Sequence, residues 1–362
     1  MDEKGAAMEI KIGNRVIGQN QPVYFIADIA ANHDGDLERA KLLIDLAREA
    51  GADAAKFQNF HAPQIVSDYG FKNLGGQQSH QANWNRSVFE VYQSATVPDN
   101  WTPILKEYCD SAGIEYFSSP YDFSATDLLD DHVKAHKIGS GEIDWIETLE
   151  YIAMKGKPVL LATGACDIGE VQRAVHAILR FNSHLVLMQC NTNYTASVEN
   201  FRHINLNVLK TYAQMFPEVV LGLSDHTPGH TTVLGAVALG ARLIEKHFTD
   251  DNGREGPDHH FAMNPVTWRA MVAATRELEY ALGSGDKVVA DNEKETVIIQ
   301  RRCLRAARDI NAGELLTREM IDVLRPATPG AIPPSALQEV LGARVLVDIF
   351  FGKELTWMDL GK

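Results

Sequence analysis

Short apolar runs recur along the chain, and one after another ends in a polar side chain able to do chemistry. Tyr24-Phe25-Ile26-Ala27 leads to Asp28, Ala54-Ala55 to Lys56, and Ala135-His136 to Lys137, with Ser140 and Glu142 just beyond. Val159-Leu160-Leu161-Ala162 leads to Thr163-Gly164, Val219-Val220-Leu221-Gly222-Leu223 to Ser224-Asp225-His226, and Leu243-Ile244 to Glu245-Lys246-His247. Helix-like segments lie between them. Leu37, Ala40, Ile44 and Ala47 recur at helical spacing, behind Asp36 as N-cap and ahead of Gly51 as terminator. After the strand opening at Tyr24, strand-like runs follow at 54–58, 114–118, 135–138, 158–162, 185–190, 219–224 and 241–247. About eight strands alternating with helices, with reactive groups at their ends, predict the catalytic face of a (β/α)8 TIM barrel, an α/β fold. A doubly wound open sheet would gather its ligand groups at one switch point instead.

Outside this pattern, Glu9 to Ile17 reads as a hairpin turning at Gly13-Asn14. Hairpin and catalytic barrel together are expected over residues 1–282. The stretch 283–300, opened by Gly283-Ser284-Gly285-Asp286 and strongly polar from Asp291 to Glu295, reads as a linker. In the remaining segment, 301–362, Asp309-Ile310-Asn311-Ala312-Gly313-Glu314-Leu315-Leu316-Thr317 is echoed by Asp348-Ile349-Phe350-Phe351-Gly352-Lys353-Glu354-Leu355-Thr356. Both read D-I-x-x-G-x-x-L-T, which predicts a small pseudo-symmetric β-rich module.

The length, 362 residues, suits one barrel plus one small domain. Apolar residues at 45% supply a substantial core, and no run is long or charge-free enough to span a membrane. The first residues lack the pattern of a secretory signal, so the expected location is the cytoplasm. Cys109, Cys166, Cys190 and Cys303, without CxxC spacing, read as buried free thiols. The net charge, 34 − 48 = −14, argues against nucleic acid or an anionic membrane as partner. It leaves room for an anionic small substrate, because lysines inside a pocket reverse the potential locally.

Strand side chains alternate, so Ser224 and His226 share a face, as do Glu245 and His247, and Lys56 and Gln58. If these faces point into the barrel mouth, His226 and His247 end neighbouring strands ~4.8 Å apart. Two imidazoles there can hold one divalent metal at ~2.1 Å. With no obvious third protein ligand, positions stay open for water and substrate. A lysine deep at a strand end is costly unless paired. Lys56 and Lys137 therefore either meet carboxylates or bind a substrate anion, with Ser140, Thr163 and Ser224 as hydroxyl donors on the same rim. Such a set suits a compact ligand carrying phosphate and carboxylate. A Schiff-base lysine is the competing use, and two lysines beside a metal pair favour anion binding. Gly256-Pro257-Asp258-His259-His260 reads either as an ordinary turn with solvated histidines or as a loop whose Asp258 reaches a sugar hydroxyl.

These residues resemble the sialic acid (nonulosonate) synthase family over nearly the whole chain. The resemblance is carried by Lys56-Phe57-Gln58, Lys137-Ile138-Gly139-Ser140-Gly141-Glu142, Gly222-Leu223-Ser224-Asp225-His226-Thr227, Glu245-Lys246-His247-Phe248-Thr249 and Gly256-Pro257-Asp258. The C-terminal module resembles the antifreeze-like (SAF) domain that ends those enzymes. The resemblance implies condensation of phosphoenolpyruvate with an N-acylated hexosamine in its open aldehyde form, releasing phosphate. Lys56, Lys137, Ser140 and Ser224 would hold phosphoenolpyruvate, and His226 and His247 would hold Mn2+ or Mg2+. Asp28, Lys56, Lys137 and Glu142 form the expected catalytic set. Glu142 and Asp258 would contact the sugar and Tyr194 would border it, while Gln58, Ser119, Thr163 and Thr192 complete the substrate-binding set. Arg325 would reach the partner's site in a domain-swapped homodimer. The chain departs from the family pattern at Asp28, where glutamate is usual, at Ala162, where serine is common, at Asn193-Tyr194-Thr195, in place of a Tyr-Pro, and in the longer loop after Arg325. Ala30-Ala31-Asn32-His33 looks more like the pseudaminic acid branch. The changes gather at the sugar end, which points to an acceptor other than N-acetylmannosamine. The rival readings are a synthase acting on a phosphorylated aldose, for which Arg254 is the one nearby cation, and a non-catalytic sugar-binding or scaffold homologue.

Overall fold

The structure is a computed structural model that describes residues 9–76, 81–82 and 84–361. Residues 1–8, expected to open the first unit, and residue 362 lie outside the described residues. The chain divides into two units, Met1–Gly283 and Ser284–Lys362.

In the first unit an antiparallel hairpin, β1 (Glu9–Ile12) and β2 (Arg15–Gly18), turns at Gly13, whose φ of 56° suits glycine. Eight parallel strands follow: β3 (Tyr24–Asp28), β4 (Ala54–Asn59), β5 (Glu115–Pro120), β6 (His136–Ile138), β7 (Val159–Ala162), β8 (Leu185–Cys190), β9 (Val220–Asp225) and β10 (Leu243–His247). Their order is β5-β4-β3-β10-β9-β8-β7-β6, and the outer strands β5 and β6 lie side by side to close a barrel ringed by helices. The expected strands are all present, with ends shifted by a residue or two. The helix Leu37–Glu49 starts where Asp36 accepts hydrogen bonds from the Glu38 and Arg39 amides, and it buries Ala40, Leu43, Ile44 and Ala47.

Alternation along the strands sorts side chains into two layers. Phe25, Ala27, Ala55, Phe57, Leu161, Leu187, Leu223 and Ile244 face the helices and join the main core. The opposite residues fill the barrel: Tyr24, Ile26, Ala54, Phe117, Ala135, Leu160, Val186, Met188, Val220 and Leu243. Ile10, Ile12 and Ile17 of the hairpin belong to this inner cluster, so the hairpin plugs the barrel floor. Gly222 is needed on this face, because a Cβ there would stand 2.9 Å from both the Leu243 carbonyl and Met188 Cγ. Ile12→Ala is expected to lower unfolding free energy by about 2–4 kcal/mol, as buried large-to-small changes do. Denaturant titration checks this, and a loss below ~0.5 kcal/mol would show the plug to be dispensable.

The second unit buries Leu304, Ala306, Ile310, Leu316, Ile321, Ile332, Val340, Val345, Ile349 and Leu355. Its short antiparallel pairs are β11 (Cys303–Ala306) with β12 (Ile321–Leu324) and β13 (Arg344–Val345) with β14 (Leu360–Gly361). The sequence echo is a structural repeat. Ile310 and Ile349 exchange both backbone hydrogen bonds, at 2.8 and 2.9 Å. Asp309 accepts from the Phe351 amide at 2.7 Å while Asp348 accepts from the Ala312 amide at 2.8 Å, and Gly313 and Gly352 both take positive φ. The linker expected over 283–300 is only partly irregular. Lys294–Gln300 is helical, and its Ile298 carbonyl accepts from the Ala327 amide at 2.9 Å, which ties it to this unit. All four cysteines are free, and Cys166 alone among them is half-buried.

Candidate active site

Two residues further along each inner row, apolar side chains give way to ionisable ones: Ile26 to Asp28, Ala54 to Lys56, Ala135 to Lys137, Leu243 to Glu245. Register sets them side by side. His247 pairs with Asp28, Asp28 with Lys56, Glu245 with Ser224 and Gln58 with Ser119. They wall a cavity of about 50 Å³ together with Ser140, Thr192, Tyr194 and His226. The shared faces read from the sequence do point into the barrel mouth.

Asp28 and Lys56 are each about 2% exposed, and Lys56 Nζ stands 2.6 Å from Asp28 Oδ2. Glu245 Oε1 lies between the lysines, 3.9 Å from Lys56 Nζ and 3.5 Å from Lys137 Nζ, and accepts from the Ser224 hydroxyl at 3.3 Å. Its other oxygen is buried without a partner. Burial disfavours the Lys56 ammonium, but Asp28 and then Glu245 outweigh it and raise the pKa. Lys56 therefore stays protonated, which suits an anion and not a Schiff base. Ser140 Oγ accepts from the Gly164 amide at 2.9 Å and lies beside the Cys190 thiol on the cavity wall. Gly164 has no room for a side chain: a Cβ would lie 2.6 Å from Thr192 Cγ2 and 3.0 Å from Ser140 Oγ.

The His226 and His247 rings are 5.3 Å apart, centroid to centroid. Nδ1 of His226 lies 2.9 Å from the Asn191 carbonyl, which makes that nitrogen the N–H and leaves Nε2 with its lone pair. Nδ1 of His247 is buried without a hydrogen-bond partner. Burial lowers both pKa values, that of His247 further through His226 and Lys56, so both rings are neutral. Two neutral imidazoles with unused nitrogens fit a divalent cation. No group of three His, Cys, Asp or Glu among the described residues is arranged to hold one, so substrate or water would have to complete the coordination.

Gln58, Tyr121, Tyr194 and His247 also line a second, outer cavity of about 150 Å³. Its other walls are mostly apolar or aromatic: Phe60, Ile65, Trp84, Val91, Tyr92, Ala95 and Pro257. Asp258 belongs to this wall, where its Oδ2 accepts from the Ala31 amide at 3.2 Å and lies 3.9 Å from His247 Nδ1. Burial, reinforced by Asp28, pushes the Asp258 carboxyl up to about 7. A carboxyl raised this way contributes stability that is present below its unfolded pKa and is lost as pH rises through the folded one. Asp258 is therefore expected to take stability away between about pH 4 and 7 in the metal-free protein, against the opposite contribution of the buried neutral histidines, so Asp258→Asn should gain on the wild type as pH rises through that window. Melting temperatures of the two proteins at pH 5 and pH 8 check this; parallel changes would remove the assignment.

Not every expected residue reaches the cavity. Thr163 turns away: its hydroxyl donates to the Met188 carbonyl and accepts from the Tyr212 hydroxyl, both at 2.9 Å. The inward position on that strand is Ala162. Glu142 is half-buried and lines neither this cavity nor the outer one; its carboxylate lies over Gly139. Burial raises its pKa, against the pull of Lys137. Arg325, expected at a partner's site and not in this cavity, belongs to the second unit, where it is exposed, with Nε donating to the Gln300 carbonyl at 2.6 Å and a cis bond to Pro326. Residues absent from the expected set are Glu245, whose place on the same face as His247 was the available signal, and Tyr121 and Cys190. Asp225 and Lys246, on the outward face, pair with each other, and Thr227 and Thr232 close that buried network.

Comparison with known proteins places these features in a family. A NeuB family model matches residues 43–287 and a SAF domain model residues 301–361. The chain is 35% identical to the N,N'-diacetyllegionaminic acid synthase of Legionella pneumophila, over 94% of this chain and 95% of that one. It is 34% identical to a pseudaminic acid synthase of Campylobacter jejuni, over 96% and 98%. A crystal structure of the N-acetylneuraminic acid synthetase from Leptospira borgpetersenii, in complex with citrate, superposes with a TM-score of 0.70 at 30% identity, covering 80% of this chain and 95% of that one. With a barrel whose strand ends carry the lysines and histidines, and a duplicated C-terminal module, the chain belongs to the NeuB family, the family of sialic acid-type synthases, and ends in a SAF domain.

Proposed function

We propose that this protein condenses phosphoenolpyruvate with an open-chain N-acylated hexosamine and releases phosphate. Membership of the family makes it a carbon–carbon bond-forming transferase of the nonulosonate synthase group. The observation that carries the finer reading is the convergence of Lys56, Lys137, Ser140 and Ser224 with the histidine pair in one small cavity beneath an aromatic one. The inner cavity would take phosphoenolpyruvate, its two anionic groups met by the ammonium and hydroxyl donors. His226 and His247 would hold Mn2+ or Mg2+, which when bound polarises the acceptor's aldehyde. C3 of phosphoenolpyruvate attacks the aldehyde carbon, water adds at C2, and C2–O cleavage releases phosphate. Asp28 keeps Lys56 charged and in place, and Gln58, Tyr194 and Asp258 orient the sugar.

The outer walls favour an acceptor with methyl, deoxy or several N-acyl groups over a phosphorylated one. Arg254, the nearby cation, is already bound to Asp34 at 2.9 Å. Phosphate release from phosphoenolpyruvate with Mn2+ should be measured across N-acetylmannosamine, di-N-acetylated 6-deoxyhexoses and phosphorylated aldoses, with product masses. Acceptor-dependent phosphate and a product heavier by one pyruvate unit is the expected result, with a di-N-acetylated 6-deoxyhexose the best acceptor. No turnover with any acceptor, from folded protein that binds Mn2+, would return the reading to a sugar-binding homologue.

A homodimer in which Arg325 completes the partner's acceptor site belongs to the same reading, as does a cytoplasmic location. No helix among the described residues is long and apolar enough to cross a membrane. Mixing Arg325→Ala with Lys56→Ala protomers should restore part of the activity that each lacks alone. Confirmed heterodimers without recovery would assign Arg325 to its own chain.

A further inference from the structure

The loop after β10 carries Asp258, and next to it stands a polar cluster built on a buried histidine, with no role in the chemistry above. His259 is fully buried. Its Nδ1 lies 2.7 Å from the Thr249 hydroxyl and its Nε2 2.9 Å from Asp34 Oδ1. Asp34 belongs to the loop after β3. Its other oxygen meets Arg39 Nε at 3.0 Å and Arg254 at 2.9 Å. Arg39, about 9% exposed in its side chain, also takes both oxygens of Asp250 and the Asn32 carbonyl. Gly256 lets the loop close down on this cluster, since a Cβ there would stand 2.6 Å from the His259 ring.

The two loops joined this way hold the two halves of one contact in the outer cavity. The Ala31 amide comes from the first loop and the Asp258 carboxylate from the second, with 3.2 Å between them. Such a contact needs both loops at fixed height. The loop bases are held by the Ile29 and Ala30 amides on the Lys56 carbonyl, by a bridge between Phe248 and Met263 and by Asn32 Nδ2 on the Phe248 carbonyl, and Asp258 lies between Phe248 and Met263. A buried, bridging imidazole with a charged partner adds a tie within that span, because breaking either bond strands a buried polar group at ~1–3 kcal/mol.

We infer that His259 and Asp34 form a latch that positions Asp258 and Ala31 for the acceptor. The latch rests on the acceptor assignment made above for its effect on turnover, but not for its effect on the loops. His259 and Asp34 are positioning residues and touch no reacting atom.

The test is His259→Leu in the full-length protein, with amide hydrogen exchange and steady-state kinetics read together. Exchange should accelerate at least tenfold in both 29–36 and 250–260. With the best acceptor, acceptor KM should rise at least tenfold while phosphoenolpyruvate KM stays within twofold. His259→Gln, which can keep one of the two bonds, should fall between. If the leucine variant does not fold, Asp34→Asn takes its place with the same expectations. Exchange confined to 250–260 would overturn the latch whether or not the enzyme turns over. Parallel rises in both KM values would overturn its acceptor-specific role. Absence of turnover in the wild-type protein would count against the acceptor assignment alone, and the exchange result would still decide the latch.

Discussion

His247→Ala is expected to reduce phosphoenolpyruvate-dependent turnover by about 10³-fold or more, equivalent to ~4 kcal/mol of lost transition-state stabilisation. The ring is one of two neutral imidazoles facing each other across the cavity, and its Nδ1 satisfies no hydrogen bond that its removal would break. The substitution also removes edge contacts with Tyr194 and Phe261, at ring-centroid distances of 6.1 and 4.8 Å, so a modest drop in melting temperature should accompany it. The discriminating measurement is Mn2+ affinity by titration calorimetry, beside circular dichroism to establish the fold. A folded variant that binds Mn2+ as the wild type does, or keeps more than a tenth of its turnover, would contradict the metal assignment.

The second large effect belongs to Lys56. Lys56→Met keeps the stem and removes the ammonium, leaving the Asp28 carboxylate in a site about 2% exposed with no cation at hydrogen-bond distance. Breaking a buried pair from one side costs about 3–5 kcal/mol. Activity should fall by about 10³-fold as well, since the inner cavity loses one of its two ammonium groups. Stability and activity separate in the double variant. Lys56→Met with Asp28→Asn should recover most of the lost stability, because no uncompensated charge is left, and none of the activity. A single variant as stable as wild type in chemical denaturation would show that Asp28 does not depend on Lys56 in solution.

The barrel was legible because its interior rows run uninterrupted from apolar to ionisable at a period of two. Ile26–Asp28, Ala54–Lys56 and Leu243–Glu245–His247 can be traced on paper. Parity is also where sequence and structure part. One residue at the end of β7 decides whether Ala162 or Thr163 looks inward, and only hydrogen bonds to Met188 and Tyr212 settle it. Glu245 was visible on the histidine's face, but its role as the carboxylate between two lysines depends on β6, which lies on the other side of the barrel. Loops carry no period at all, so the burial of His259 had no trace in spacing. In the C-terminal module the repeated D-I-x-x-G-x-x-L-T was legible because both copies make the same bonds to each other.

The hairpin that fills the barrel floor has a consequence for traffic. With Ile10, Ile12 and Ile17 packed into the bottom, the inner cavity is closed from below, and it shares Gln58, Tyr121, Tyr194 and His247 with the outer one. Two ligands that share such a shaft cannot come and go independently. On the assignment proposed above, the ligand held by the lysines is expected to enter before the one beneath Trp84 and Tyr92, and what is left beside the lysines after reaction to leave after the upper occupant. An order of binding and release would then follow from the stacking of the two chambers, through a hairpin that touches neither ligand.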